Sequence, residues 1–412
     1  MGVVSTFREK MFAAFVVRNF RLFFIGQLVS VSGTWMQQVA QNVLIYQLTH
    51  SPVDLGFSAA LQFLPMLLFG SYGGLIADRF EKRRILYVTQ ACAGTLALVL
   101  GLLVSTHHVT LDRVFLMGFL LGIVNMFDNP ARQSFVQEMV GRDLMANAVS
   151  LNSVLMNAGR LVGPSLAGIL IALVGIVACF YVNAASYLAV LLALALMRKK
   201  EFYPMAITER AKGQLRLGLR YAFETPALRN VIIAAAVVGT LAFNFSVTLL
   251  LLARQTFHHP NEYSVLLACM GFGAVLGGLY VAHRSRPTLR LLAVLSTLFG
   301  IFMTVVAFAP TEIVADVGMV ATGACSIAFL STANATLQLK SHQVMRGRVM
   351  SLYAIAVLGS TPVGSPLVGF IISQTNPRVG IAVGSIATLI VGLFLLASSR
   401  SRDLRQDQLV TA

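Results

Sequence analysis

Residues 73–84 read Gly-Gly-Leu-Ile-Ala-Asp-Arg-Phe-Glu-Lys-Arg-Arg and close an apolar run that begins near residue 54. A run of about 24 apolar residues is long enough to cross a bilayer. It ends abruptly, with four bases among the last six residues of the stretch, so these charges mark a membrane–water boundary. The cytoplasmic preference of Lys and Arg assigns that boundary to the cytoplasm.

The same pattern of a long apolar run between polar boundaries recurs along the chain. Twelve such segments are read at 21–46, 54–77, 84–106, 112–134, 146–174, 176–197, 229–252, 262–282, 288–309, 313–336, 348–373 and 378–398. The division between the fifth and sixth is the least marked. Composition agrees: 57% of residues are hydrophobic, mean hydropathy is +0.78 and 11% are charged, against about 25% charged in a soluble domain. A soluble core does not need repeated apolar segments this long. The net charge of +15 could suggest a nucleic-acid partner. Its distribution points elsewhere. With the N-terminus in the cytoplasm, only Arg113, Arg160, Arg254 and Arg378 of the 31 Lys and Arg fall outside the cytoplasmic segments. Such asymmetry sets topology and attracts anionic lipid headgroups. No nucleic-acid partner is expected.

The first apolar segment is too long for a signal-peptide core and reads as a retained helix. Before it, Phe7, Phe12 and Phe15 alternate with Arg8, Lys10 and Arg18, as in a short interfacial helix. Cys92, Cys179, Cys269 and Cys325 fall in four different segments and read as packing residues. His107-His108 and His258-His259 fall in outer loops, where solvated residues are the default over a metal site.

The only long polar stretch, 198–228, divides residues 1–197 from 229–400 and leaves a polar tail at 401–412. Leu215, Leu219, Tyr221 and Phe223 suggest an amphipathic helix within it. The halves look like repeats. A shift of 201 positions lays Gly163, Leu166 and Gly168 on Gly364, Leu367 and Gly369; a shift of 204 lays Gly73-Gly74 on Gly277-Gly278. The charged signature is absent from the second half, where Asp78 maps to Ala282.

Gly74, Asp78, Arg79, Lys82 and Arg83 resemble the Gly-x-x-x-Asp-Arg-x-Gly-Arg-Arg-type loop between helices 2 and 3 of major facilitator transporters. Glu81 stands where that family usually has glycine. Gly159-Arg-Leu-Val-Gly163-Pro164-Ser-Leu-Ala167-Gly168 resembles the family's antiporter signature, with Ala167 replacing one glycine. Glycines four apart let helices approach closely, and Pro164 removes a backbone bond. The runs Asn129-Pro130-Ala131-Arg132, Arg346-Gly347-Arg348-Val349-Met350-Ser351 and Gly359-Ser-Thr-Pro362-Val-Gly364-Ser365 are similar to the branch holding the enterobactin exporter and related macrolide and multidrug efflux proteins.

The resemblance implies an all-α polytopic protein with twelve transmembrane helices in two pseudo-symmetric six-helix halves. It implies proton-driven antiport by alternating access, exporting small amphiphilic molecules such as drugs or siderophores, by a monomer in the cytoplasmic membrane with both termini inside. The proton gradient would be the energy source, and no cofactor is expected. Uptake or lipid translocation is the alternative; a membrane-embedded enzyme or a non-transporting receptor is more remote. Against an enzyme, the chain has no His-Glu-x-x-His, no Gly-x-Ser-x-Gly and no paired intramembrane acids in this reading. Against an ATP-driven pump, no lysine follows a glycine, so there is no phosphate-binding loop.

Asp128 lies roughly 24 Å along the fourth segment at 1.5 Å per residue, within reach of Lys82 or Arg83. The resemblance then implies a conformational latch of Asp78, Arg79, Lys82, Arg83 and Asp128. Arg160 falls roughly 21 Å into the fifth segment, with no acid at its depth in the first half. It shares a face with Ser150, Ser153, Asn157 and Pro164. Either it binds an anionic part of the substrate, or it caps carbonyls of a neighbouring helix. Polar stripes on the first segment (Gln27, Ser30, Thr34, Gln38, Gln41) and the seventh (Thr240, Asn244, Thr248) read as cavity lining. Thr34 stands where some relatives carry an acid, and no acid occupies mid-depth in segments 1, 4 or 7.

Overall fold

The computed structural model describes residues 12–141, 143–203, 214–259, 261–283, 287–342, 345–357 and 359–410. Among the described residues all regular structure is helical. The first half contains α1 (Arg18–Thr49), α2 (Pro52–Arg79), α3 (Lys82–Ser105), α4 (Leu111–Val140), α5 (Met145–Leu173) and α6 (Ile176–Leu196). A surface helix, α7 (Gln214–Glu224), precedes α8 (Pro226–Leu241), α9 (Phe245–Leu251), a π-helical turn (Leu252–Phe257), α10 (Glu262–His283), α11 (Leu289–Ala307) and α12 (Glu312–Lys340). The chain continues in α13 (Arg346–Val357), α14 (Thr361–Gln374) and α15 (Pro377–Val410). Of the linker 198–228, residues 204–213 lie outside the described residues, as does the amphipathic N-terminal segment up to residue 11.

Eleven helical stretches are long and apolar enough to span a bilayer, two of them made of broken helices, 226–257 and 346–374. The 32-residue α1 supplies a twelfth by length; its Gln, Asn, Ser and Thr side chains lower its hydropathy. Large exposed aliphatics such as Leu188, Leu192, Ile386 and Ile390 suit a lipid solvent. The chain is a multi-pass membrane protein.

The boundary between the fifth and sixth segments falls at Gly175, whose φ of +92° turns the chain between α5 and α6. Glu81, in the position usually held by glycine, has φ −59°. An ordinary L-residue adopts that conformation, so nothing here demands glycine.

The residues cluster into two compact units. One comprises Met1–Thr49 and Leu64–Glu209, the other His50–Phe63 and Arg210–Ala412. In the first, α1 is central. A Cβ on Gly26 would lie 3.1 Å from the Ala189 carbonyl of α6, and one on Gly159 of α5 would lie 2.5 Å from Val31 of α1. A Cβ on Gly163 would lie 2.5 Å from Trp35 Cβ and 2.7 Å from the Ser32 carbonyl.

In the second unit the tightest seam joins α10 and α12. A Cβ on Gly273 would collide with the Val320 carbonyl, one on Gly277 with that of Ala324, and one on Gly323 with that of Met270. Small residues at such spacing let membrane helices approach to backbone contact. Gly364 of α14 meets the Thr240 carbonyl of α8 in the same way. The opening turns of α2 belong to this unit, with Gly56 against the Ser365 carbonyl. Between α11 and α15, Ser296 Oγ donates to the Thr388 carbonyl at 2.8 Å.

Candidate functional site

At the α2–α3 corner Lys82, Arg83 and Arg84 each have a partner inside their own unit. Lys82 Nζ lies 3.1 Å from Glu138 Oε1 near the end of α4. Arg83 is 8% exposed, and its Nε and Nη2 donate to the Leu194 carbonyl at 3.0 and 2.5 Å. It therefore caps the last turn of α6, where carbonyls lack intrahelical donors and the helix dipole is negative. Its guanidinium also lies 5.7 Å from the Tyr87 ring centre. Glu81 pairs with Arg84 at 2.8 Å and with Lys199 at 3.5 Å. Arg79 is exposed; the side chain of Asp78 lies outside the described residues.

The expectation that Asp128 meets Lys82 or Arg83 is corrected. Asp128 is 4% exposed. Its Oδ1 accepts from Thr89 Oγ1 and Gln90 Nε2, both at 2.8 Å, and its Oδ2 lies 3.6 Å from Arg132 Nε. Arg132 also donates to Asn129 Oδ1 at 2.7 Å and to Gln27 Oε1 of α1 at 3.3 Å. The depth estimate placed Asp128 at the level of the corner, but Lys82 finds the nearer Glu138 and Arg83 turns toward α6. Arg132, one helical turn past Asp128, is the partner that i,i+4 spacing offers. The result is a buried polar cluster of Gln27, Thr89, Gln90, Asp128, Asn129 and Arg132 joining α1, α3 and α4.

On α5, Gly159, Gly163 and Pro164 are buried, and Gly168 is half-buried. The first two let α5 touch α1. The helix runs unbroken through Pro164. Arg160 lies beside this seam, about 22 Å from the start of α5. Its guanidinium carbon is 5.4 Å from the ring centre of Trp35 on α1. Its Nε is buried without a hydrogen-bond partner. Among the described residues no carbonyl or carboxylate receives a hydrogen bond from it, so the carbonyl-capping alternative finds no acceptor. Asn157 is half-buried, its Nδ2 donating to the Ser153 carbonyl at 2.9 Å.

The α1 stripe divides. Thr34 is exposed and Gln38 half-buried, but Gln27, Ser30 and Gln41 are 2, 3 and 4% exposed. Gln41 therefore packs between helices and does not line a cavity. Thr34 Oγ1 donates to the Ser30 carbonyl at 2.9 Å and lies 3.4 Å from the Tyr187 hydroxyl. On the seventh segment Asn244 is likewise corrected. It is 1% exposed, at the break between α8 and α9. Its Nδ2 donates to the Thr240 carbonyl and its Oδ1 accepts from Ser365 Oγ, both at 2.7 Å. It replaces a missing backbone bond and ties the break to α14, which leaves its amide oxygen and nitrogen engaged inside the protein.

Glu262 of α10 and Asp316 of α12 lie near one another at one end of the glycine seam. Each was visible in the sequence as an acid at the start of an apolar segment, but nothing in one dimension joins positions 54 apart.

Two curated relatives and two solved structures share the layout. The enterobactin exporter EntS of Shigella flexneri is 25% identical over 386 residues, covering 92% of this chain and 90% of the relative. The multidrug efflux pump Tap of Mycolicibacterium fortuitum is 24% identical over 393 residues, covering 93% and 96%. A POT family transporter structure, in complex with a thioalcohol-conjugated peptide, superposes with a TM-score of 0.77 at 11% identity, over 93% of this chain and 96% of that one. The nucleoside transporter NupG gives 0.70 at 12% identity, over 92% and 98%. These two show the fold, that of major facilitator transporters. A family model described as transmembrane secretion effector matches residues 9–411. The chain belongs to this family of the major facilitator superfamily, whose members are transporters and not enzymes.

Proposed function

We propose that this protein is a secondary exporter that carries small amphiphilic molecules out of the cytoplasm in exchange for protons. Both termini and the 198–228 linker would be cytoplasmic. The observation that carries the reading is Arg160. A guanidinium near the middle of a membrane helix, stacked on the sole Trp of the chain and without a polar protein partner among the described residues, is costly unless it meets water or an anionic ligand. Arginine keeps its charge in a poor solvent, and its fork suits two acceptor oxygens. The Trp35 ring beside it suits an aromatic or aliphatic surface. Together they fit a substrate with an acidic or strongly electronegative group on an apolar body. Asn157 and Thr34 would complete the polar lining. The names of the two relatives, an enterobactin exporter and a multidrug efflux pump, favour export over uptake. Asp78 and Arg79 keep the latch role that the resemblance implies.

Transport of candidate substrates into sealed inside-out vesicles with an imposed pH gradient tests the reading. Accumulation should require the gradient and stop when it is collapsed; accumulation indifferent to the gradient would refute proton exchange. For Arg160, affinity is measured in purified, folded variants with one anionic and one cationic substrate. Arg160→Ala should weaken the anionic substrate about ten- to a hundredfold, Arg160→Lys less, and neither should weaken the cationic one to that degree. Equal losses for both substrates, or none, would reject the assignment.

A further inference from the structure

In the first unit α1 and α6 run antiparallel, so the start of one lies beside the end of the other. Arg18 Nη1 donates to the Leu196 carbonyl at 3.0 Å. Asn19 and Arg198 exchange two bonds, both at 3.0 Å: Asn19 Nδ2 donates to the Arg198 carbonyl, and the Arg198 amide donates to Asn19 Oδ1. The corner gathers bases from both elements, Arg18 and Arg21 from α1, Arg198 and Lys200 from the stretch that follows α6. The acids beside it are largely taken. Glu81 is held by Arg84 and Lys199, and Glu138 by Lys82. Glu201 pairs with Arg198 at 3.2 Å. Arg21 and Lys200 are exposed and form no ion pair among the described residues.

Away from the corner the same two helices turn apolar. Ile25 and Val29 of α1 are exposed, as are Leu188, Leu192 and Leu196 of α6. On the 3.6-residue period Ile25 lies about 160° around α1 from Gln27, the residue that meets Arg132 of α4. Leu192 lies about 140° around α6 from Tyr187, which packs on Gly94 of α3. Both stripes therefore face away from the interior of the unit, and for a membrane protein that direction is lipid. They flank a seam of small residues, where a Cβ on Gly26 would lie 3.1 Å from both the Ala189 carbonyl and Ala193 Cβ. From Arg21 to Val29 the α1 stripe runs about 12 Å, close to the hydrocarbon depth of one leaflet, about 15 Å.

We infer that this corner is a seat for one anionic phospholipid. Its phosphate lies among Arg18, Arg21, Arg198 and Lys200, and an acyl chain follows the furrow between the α1 and α6 stripes. The charge pattern selects the occupant. Four bases against the single carboxylate of Glu201 favour a headgroup with net negative charge. A zwitterionic headgroup carries its own cation beside the phosphate and gains little here. A soluble anion would use the bases and leave the apolar stripes in contact with bulk lipid. The bound lipid would brace the start of α1 against the head of the linker, the two pieces that Asn19 already joins. The seat is independent of the direction and the coupling of transport.

Native mass spectrometry of the delipidated full-length protein, titrated with phosphatidylglycerol or with phosphatidylcholine of the same chains, counts the bound lipid. One phosphatidylglycerol per chain should survive activation that strips all phosphatidylcholine; equal retention of the two overturns the seat. Arg21→Gln and Lys200→Gln together should weaken phosphatidylglycerol about 25-fold, at about fivefold per base. Both side chains are exposed and unpaired, so the fold should tolerate the change. Arg290→Gln, the same loss of charge at an exposed base of α11, should leave binding unchanged. Equal losses at the two places would mean bulk attraction and reject a defined seat. Glu201→Gln removes the competing carboxylate and should tighten phosphatidylglycerol by up to about fivefold, a gain that poor folding cannot imitate; a lack of gain counts against the seat. Excess inorganic phosphate should not displace the lipid. Displacement would reveal a bare anion site and overturn the phospholipid assignment.

Discussion

Asp128→Asn should destabilise the protein by about 3–5 kcal/mol, the usual cost of removing one partner from a buried ion pair. The loss falls on Arg132, which would keep its charge inside the α1–α3–α4 cluster with only Asn129 and Gln27 to receive it. Thr89 and Gln90 would lose an ionised acceptor as well. Thermal unfolding in detergent should show a lower midpoint, and transport should fall with it. Arg132→Gln alone should be damaging for the mirrored reason. The double variant should cost less than the two singles together, by about 0.5–3 kcal/mol. Strict additivity would show that the pair contributes nothing. Removing Lys82 should give no rescue, because that ammonium is engaged with Glu138.

Gly273→Ala should be the most damaging small substitution in the second unit. Its new methyl would meet the backbone carbonyl of Val320, and a backbone atom cannot rotate away as a side chain can. Relief requires α10 and α12 to separate, which opens the seam along its length. Overpacking of this kind costs about 1–3 kcal/mol, and more where the obstacle is backbone. Gly277→Ala, facing Ala324, should behave alike. Gly278 is the internal control: nothing lies within 4 Å of a Cβ there. Gly278→Ala should leave the unfolding midpoint unchanged or raise it slightly, since alanine is the better helix former. Equal effects at 277 and 278 would refute the packing account.

The helices were legible because each lipid-spanning segment must be apolar for the length of the bilayer, a constraint that leaves a long one-dimensional trace. The glycines of α5 were legible for a related reason, since a contact between backbones leaves no residue choice. Partner choice was not. Lys82 and Asp128 carry opposite charges at similar depth, yet Lys82 turns to Glu138 and Asp128 to Arg132. Depth along a helix gives one coordinate, whereas rotation about its axis decides which side chains meet. Asn244 shows the same limit. Its place in a polar stripe suggested a cavity, and only the break between α8 and α9 explains why its amide turns inward. The proximity of Glu262 to Asp316 required two helices to be placed side by side, and nothing local to either position announces it.

The polar character of α1 has a consequence for how the protein is made. Its main packing partners in the first unit are α5 and α6, and Gln37 is bonded only once Asn183 of α6 arrives at 2.6 Å. Asn183 lies 134 residues beyond the end of α1, so synthesis of the intervening chain takes roughly 7–27 seconds at about 5–20 residues per second. For that interval Gln37 faces either lipid or the insertion machinery with this bond unmade. The helix α1 is thus fully satisfied only late, which makes its biogenesis dependent on a waiting place at the membrane until α6 is threaded.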